Sequence, residues 1–452
     1  VSFGTFITDA TTSRTLSGDD AGANITFTNS SNITVTLPNS LGVGFTVNLL
    51  QQNMGQVQCA AAAGATVTNL NNYSATAGTY AMITLEVYAN SDGSSAVYGV
   101  SGQAGPTNSS LTVSVQQVAI TIAAGATSNT ATITAVTAAN AFVLWQGQKG
   151  SGSVSLVNSK FQTDITLTNS TTVTATRGVS DASNSVTIYG TVIEFVASAI
   201  QSIQQGTIAI GSAATTNTAT ISAVVTNNTF VHYNGCTLNA AASEAMTTTR
   251  GRLNLTNTTT ITATRNTSST DTLTIRYVAV EFKAGILNSA IQTTATTAAS
   301  TTMTVGAITT VNSRYSMFIY GGYSTNSGTS TISNAPAIKI VDDITVGATT
   351  PTGTATTSGF ILEFTSAQVK PTSRFRDVVV ANTTSATRTI PAVNTAKTAI
   401  NLLGWFADSA LDNEAQGWEG ITLTNSTTVT TARTTLSATV ALINSYEVIE
   451  FL

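Results

Sequence analysis

The sequence predicts an all-β protein: an N-terminal small β-domain followed by four tandem antiparallel β-sandwich (Ig-like size) repeats. Three observations predict it. Thr, Val and Ile dominate the chain, and branching at Cβ favours strands over helices. Apolar and polar residues alternate with period two, as in Ser185-Val186-Thr187-Ile188-Tyr189. A set of short motifs returns at one long step, the signature of a repeat architecture.

The clearest motif is aliphatic-Glu-Phe, at Ile193-Glu194-Phe195, Val280-Glu281-Phe282, Leu362-Glu363-Phe364 and Ile449-Glu450-Phe451. Its phenylalanines are 87, 82 and 87 residues apart (282−195, 364−282, 451−364), and Leu452 is the last residue. A second motif runs from Leu167 to Arg177 as LTNSTTVTATR, returns at Leu255–Arg265 and Leu423–Arg433, and has a degenerate form around Ile340–Val346. A third is Thr130–Ile133, matched at Thr218–Ile221, Ser300–Met303 and Thr387–Ile390. A unit of this length with short strands suits a sandwich of roughly seven strands. The predicted bounds are 107–195, 196–282, 283–364 and 365–452. In the closing tripeptide, alternation points the aliphatic residue and Phe to the core and Glu to solvent. Arg177 and Glu194 are expected as two separate solvated strand residues, not as an ion pair, with Glu194 across a hairpin from about Thr168. Linkers such as Phe195-Val196-Ala197-Ser198 are short, which restricts motion between repeats.

Residues 1–104 lack the tripeptide and form a separate β-module for docking or assembly. Alternation is plain in Asn24–Phe27 and Ile33–Leu37, and a Gly/Pro-punctuated linker follows at Ser101–Pro106.

Composition excludes several function classes. Charged residues make up 8% against an ordinary quarter, while apolar residues make up 42%, enough to bury real cores. The surface is therefore hydroxyl- and amide-rich. It carries no basic field for nucleic acid and no polybasic patch for anionic lipid. No apolar run is long enough for a membrane span, so no membrane insertion is expected. The chain starts without a secretory pattern. Cys59 and Cys236 fall in different proposed domains, so neither a disulfide nor a Cys/His zinc site is expected.

Catalysis needs a base, a nucleophile and an orienting group within reach. The single histidine, His232, aligns with Leu144 and Asn401 of other repeats, which reads as a structural strand position. Asp19-Asp20 and Asp342-Asp343 are the adjacent acid pairs; each reads as a solvated loop or turn rather than a cation site, since calcium takes six or more oxygens. Trp145 and Trp405 read as core residues of equivalent strands, whereas Trp418, in Ala415–Gly420, is the candidate contact residue. No catalytic, cofactor-binding or metal-binding residue is assigned.

The N-terminal run resembles a small β-module of bacteriophage fibre and virion-appendage proteins. That family shares Leu-Pro, Gly-x-Gly-Phe-x-Val, a Gln-rich strand, Gly-Ala-Thr-Val and Ala-Gly-x-Tyr-Ala. These stand here as Leu37-Pro38, Gly42–Val47, Gln51-Gln52, Gly64–Val67 and Ala77–Ala81. The end departs: the family often closes with a Trp before a Gly-rich strand, whereas this chain reads Ala96-Val97-Tyr98-Gly99-Val100-Ser101-Gly102. The later repeats are similar to those of phage structural proteins that carry Leu-Thr-Asn-x-Thr-x-Val-Thr-Ala-x-Arg and end in Val-Glu-Phe. The resemblance implies a non-enzymatic virion structural protein of a tailed bacteriophage, a tail fibre or receptor-facing appendage. It also implies other virion proteins of tail or capsid as partners, a homo-oligomer (by family analogy a trimer), and a host-surface glycan or protein as target. The alternatives are a capsid decoration or head-fibre protein and, more remotely, a bacterial surface adhesin. A depolymerase is disfavoured because its repeats of about 20–30 residues do not match this step.

Overall fold

A computed structural model describes residues 4–29, 32–53, 55–69, 73–77, 80–105, 111–151, 158–239, 246–298, 304–326, 337–342, 345–349, 355–407, 419–433 and 441–452. The chain is all-β and divides into two units, Val1–Ser109 and Ser110–Leu452.

The N-terminal unit contains β1 (Phe6–Asp9), β2 (Ser13–Thr15), β3 (Asn24–Phe27), β4 (Ile33–Leu37), β5 (Thr46–Gln51), β6 (Val57–Ala61), β7 (Thr66–Thr68), β8 (Ala75–Thr76), β9 (Met82–Ala89), β10 (Val97–Gly102) and β11 (Ala104–Gly105). One sheet runs β1-β3-β5-β9-β10-β7 and the other β11-β8-β6-β4-β2. From β1 to β6 the chain alternates between the sheets and pairs in parallel within each. Parallel neighbours need a crossover, and here the strand of the opposite sheet supplies it. The result is a short coil whose turns take 18 and 24 residues (24−6 and 48−24). Alternation decides which side is buried: Ile25, Phe27, Ile33, Val35, Leu37, Val47 and Leu49 fill the space between the sheets. The first turn ends that core with charge. Arg14 bridges Asp9 at 3.0 Å and Asp20 at 2.5 Å. Asp20 is thus a buried member of a 3₁₀ turn, Gly18–Asp20, and not a solvated loop residue. Inward-pointing charge at a sheet edge disfavours stacking of another strand there.

The second unit holds six described strands per repeat. Repeat 1 has β12 (Thr112–Ile122), β13 (Ser128–Thr132), β14 (Ala141–Gly150), β15 (Thr163–Asn169), β16 (Thr172–Arg177) and β17 (Val186–Phe195). Repeat 2 has β18 (Ile200–Ile210), β19 (Thr216–Thr220), β20 (Thr229–Leu238), β21 (Gly251–Asn257), β22 (Thr260–Arg265) and β23 (Leu273–Phe282). Repeat 3 has β24 (Gln292–Ala298), β25 (Thr304–Ala307), β26 (Ser316–Thr325), β27 (Ala337–Asp342), β28 (Thr345–Thr349) and β29 (Ala355–Glu363). Repeat 4 has β30 (Ser373–Val379), β31 (Ser385–Thr389), β32 (Thr398–Ala407), β33 (Gly420–Asn425), β34 (Thr428–Ala432) and β35 (Leu442–Glu450).

These strands do not close as four tandem sandwiches. Each repeat splits into two three-stranded halves that belong to different sheets. The outer half β13-β16-β15 continues into β20-β23-β18 of repeat 2, and β19-β22-β21 continues into β26-β29-β24 of repeat 3. The half β25-β28-β27 abuts β32 of repeat 4, and β31-β34-β33 returns to β14-β17-β12 of repeat 1. The four sheets are arranged like the blades of a four-bladed propeller, around one continuous apolar core. The physical reason is the sheet edge: a three-stranded half leaves open backbone groups, the neighbouring half pairs them, and the last repeat pairs the first.

The join has one recurrent device. Each inner strand bulges, and a glycine with positive φ sits at the bulge: Gly147 (90°), Gly235 (93°), Gly322 (89°) and Gly404 (127°). At three of these the strand pairs across to the adjoining half-sheet, Gly147 with Gly420, Gly235 with Asp164 and Gly322 with Arg252. A Cβ on Gly322 would lie 2.5 Å from the carbonyl oxygen of Gly251, so only glycine lets the sheets meet.

Burial overturns two expectations. The motif glutamates Glu194, Glu281, Glu363 and Glu450 are all buried. Each accepts the backbone N–H at the start of the 3₁₀ turn before an inner strand: Thr137 at 2.8 Å, Val225 at 2.8 Å, Asn312 at 2.8 Å and Asn394 at 3.2 Å. Glu194 lies opposite Ser114 and Ala141, not Thr168, because β16 and β17 belong to different sheets. Arg177 is likewise buried and does not pair with Glu194; the equivalent Arg265 and Arg433 are buried too. The Arg177 guanidinium donates to the carbonyls of Ala126 (2.7 Å), Ala123 (2.8 Å) and Asn184 (3.1 Å); Arg265 donates to Ala214 (2.9 Å), Gly211 (2.8 Å) and Asp271 (3.0 Å). The planar fork of donors holds three chain segments at once, which a point charge does not do.

The four closing phenylalanines meet at the centre. Phe195 contacts Phe282 at 5.3 Å and Phe451 at 5.7 Å between ring centroids, and Phe364 contacts Phe282 at 6.5 Å and Phe451 at 6.0 Å. Each edge-to-face pair contributes about 0.5–1.5 kcal/mol beyond area burial. The outer sheet edges are blunted by glutamines. Gln116 exchanges two hydrogen bonds with the backbone of Thr134 (3.0 and 2.8 Å), as Gln204 does with Ser222 and Gln292 with Thr309.

Candidate functional site

In the N-terminal unit, the outer face of the six-stranded sheet presents groups that the fold does not consume. Strand register places Phe6, Asn24, Asn48, Thr84 and Ser101 in one row, and Thr8, Thr26, Leu50 and Met82 in the next. Neighbouring positions in a row lie about 4.8 Å apart. Asn48 donates to Asn24 at 2.9 Å and accepts from Thr84 at 2.7 Å, an amide ladder across three strands. Phe6, Tyr80, Met82 and Tyr88 are exposed. Tyr88 lies across Gly99, which has no Cβ to lift it, and its hydroxyl is 2.6 Å from that of Thr68. Glu86 is the charged group on this stretch of β9.

Tyr80 is held with φ +64°, a region costly for a bulky side chain, while the side chain is 72% exposed. Its N–H donates to Gln51 at 2.6 Å, and the N–H of Met82 donates to Gln103 at 3.2 Å. The strained backbone thus aims an aromatic ring at solvent without burying it. A face of aromatic, thioether, amide and hydroxyl groups with one carboxylate, Glu86, suits non-covalent contact.

The residues singled out from the sequence fall elsewhere. Trp418 and Asp343 lie outside the described residues. Asp342 ends β27 opposite Thr345. Trp145 and Trp405 are buried in the second unit with ring centroids 5.5 Å apart. His232 is buried completely; its Nε2 accepts the backbone N–H of Trp145 at 3.1 Å. Burial pushes the imidazole down to about 3, only partly opposed by the Tyr320 backbone, so it is neutral and out of reach of solvent. Cys59 and Cys236 are free, buried thiols in separate units, and burial pushes both up, Cys59 to about 12. Among the described residues no group of three or more His, Cys, Asp or Glu is placed to hold a metal ion, and no helix is long and apolar enough to cross a membrane. Tyr80 was contained in the Ala77–Ala81 motif, but its exposure had no sequence signal.

Comparison with known protein families and with curated proteins returns no match for this chain.

Proposed function

We propose that this chain is a non-enzymatic structural protein of a tailed-bacteriophage particle, a tail fibre or other receptor-facing appendage docked through its N-terminal unit. One observation carries the reading: among the described residues, every large exposed aromatic lies in the N-terminal unit, whereas the exposed large hydrophobics of the ring are valines. Exposed aromatic surface marks contact sites. The neutral, hydroxyl-rich ring would then be the part that meets the medium. A second reading, a capsid decoration or head-fibre protein, is favoured by ring closure, because four repeats joined in one body do not extend as a linear spacer.

Immunogold electron microscopy of intact particles with antibody against this chain tests both. Label on tail tip or side fibres supports the appendage. Even label over the head selects decoration. Particles that carry none of the chain refute the proposal. On the first outcome, a Tyr80→Ser/Met82→Ser variant should fail to incorporate while remaining folded.

A further inference from the structure

We propose that the cavity beside the linker joining repeats 2 and 3 is a binding site for a neutral saccharide unit. The proposal rests on the ring alone and not on the virion reading. The linker Lys283–Ile291 and the 3₁₀ turn Thr226–Asn228 wall a cavity of about 410 Å³. That volume falls within the roughly 300–1,000 Å³ usual for small-molecule sites.

The wall is pinned before any ligand arrives. Lys283 N–H donates to Ala199 at 2.9 Å, Asn288 N–H to Glu363 at 2.8 Å and Ile291 N–H to Asn227 at 2.7 Å, while Gln368 donates to the carbonyl of Ile286 at 2.6 Å. The side chains within it are unspent. Asn227, Asn228 and Asn288 make no side-chain hydrogen bond among the described residues, and Ser289 Oγ is shielded from solvent without a partner. Repeats 3 and 4 cap the equivalent turn with Asn312 and Asn394, each accepting a backbone N–H at 3.1 Å. Repeat 2 has Val225 in that place, a poor cap, with its side chain 54% exposed at the cavity. The turn therefore forgoes a capping bond and gains an apolar contact surface beside free amides.

The chemistry of the lining selects the ligand. Amides and a hydroxyl both donate and accept, which matches vicinal hydroxyl groups. Val225 and Leu287 offer an apolar floor for the C–H face of a pyranose. The lining holds no carboxylate for a cation, and its one ammonium, Lys283, is engaged with the Ala197 carbonyl at 2.9 Å, which disfavours an anion.

Saturation-transfer NMR on the full chain, with glucose, galactose and N-acetylglucosamine as separate probes, tests the site. Transfer to at least one probe is expected. It should weaken about tenfold or more in Asn227→Ala/Asn288→Ala, the loss of two ligand hydrogen bonds, and disappear in the cavity-filling Ala290→Trp. Both variants alter exposed positions, and an unchanged melting curve checks that they fold. No transfer to any of the three probes, or transfer that survives both variants, overturns the proposal.

Discussion

Replacing Gly322 by alanine tests whether the glycine at each inner-strand bulge is what lets two blades join. The residue has φ +89°, and a Cβ there would sit 2.5 Å from Gly251 O and 2.9 Å from Tyr233 Cδ2. Three costs add. Placing an L-residue at this φ costs about 1–3 kcal/mol. Relieving the overlap with rigid backbone costs about 1–3 kcal/mol. Moving Gly251 away weakens the Arg252–Gly322 pairing, a hydrogen bond contributing about 0.5–1.5 kcal/mol. The sum is about 2.5–7.5 kcal/mol, a large part of the stability of an ordinary domain. Gly125 is the control: its φ is +79° and nothing lies within 4 Å of its Cβ position. Gly125→Ala should cost only the conformational share, about 1–3 kcal/mol. Urea unfolding followed by tryptophan fluorescence, which reads the buried Trp145–Trp405 pair, measures both. If the two variants shift the midpoint equally, close approach between blades is not what the bulge glycine provides, and the joining scheme is wrong.

Other perturbations follow from the same packing. Deleting 365–452 removes the half-sheets that close repeat 4 onto repeat 1. The rest of the ring should lose cooperative unfolding altogether, leaving only the transition of the N-terminal unit, whereas independent repeats would lose one ring transition of four; calorimetry distinguishes these. Arg265→Lys should cost about 3–5 kcal/mol, close to Arg265→Ala, because one ammonium does not serve three carbonyl directions; thermal melts check this. Burial pushes the Glu419 carboxyl up to about 8, against the opposing pull of Arg433 and with the help of Asp377. A raised folded value means stability is full below about 4.5 and falls as pH rises to about 8, at up to about 1.4 kcal/mol per pH unit. Glu419→Gln should abolish that slope in denaturant titrations across this window. In the N-terminal unit the sign reverses. Burial would raise Asp9, but hydrogen bonds from Thr11 and Arg14 outweigh it and hold the carboxyl low. Its contribution is present at neutral pH and lost on acidification through the folded value, a loss that Asp9→Asn should remove from the acid limb of the melting profile.

Local physics was legible in the sequence. Strand character followed from β-branched residues, and the buried side of β3, β4 and β5 followed from alternation, since these strands are wetted on one face. The repeat step was legible because each repeat spends the same residues on the same tasks. The candidate contact face was not, because exposure of Phe6, Tyr80 and Tyr88 depends on which strands lie beside them, and Trp418, the residue chosen from sequence, lies outside the described residues.

What the tertiary structure alone decided is where each half-repeat finds its partner. Alternation assumes one wet face, but β14 and β17 are covered on both faces because they line the centre of a ring. Glu194, on β17, therefore turns inward, where the backbone N–H of Thr137 satisfies it, whereas Arg177 lies on the buried side of the one-face-wetted β16, held by backbone carbonyls. The continuous apolar run Ala141-Phe142-Val143-Leu144-Trp145 carried that information, yet a run buried on both sides does not say what buries it. Pairing of Gly147 with Gly420 joins residues 273 positions apart (420−147), and no periodicity within a strand encodes a contact at that separation.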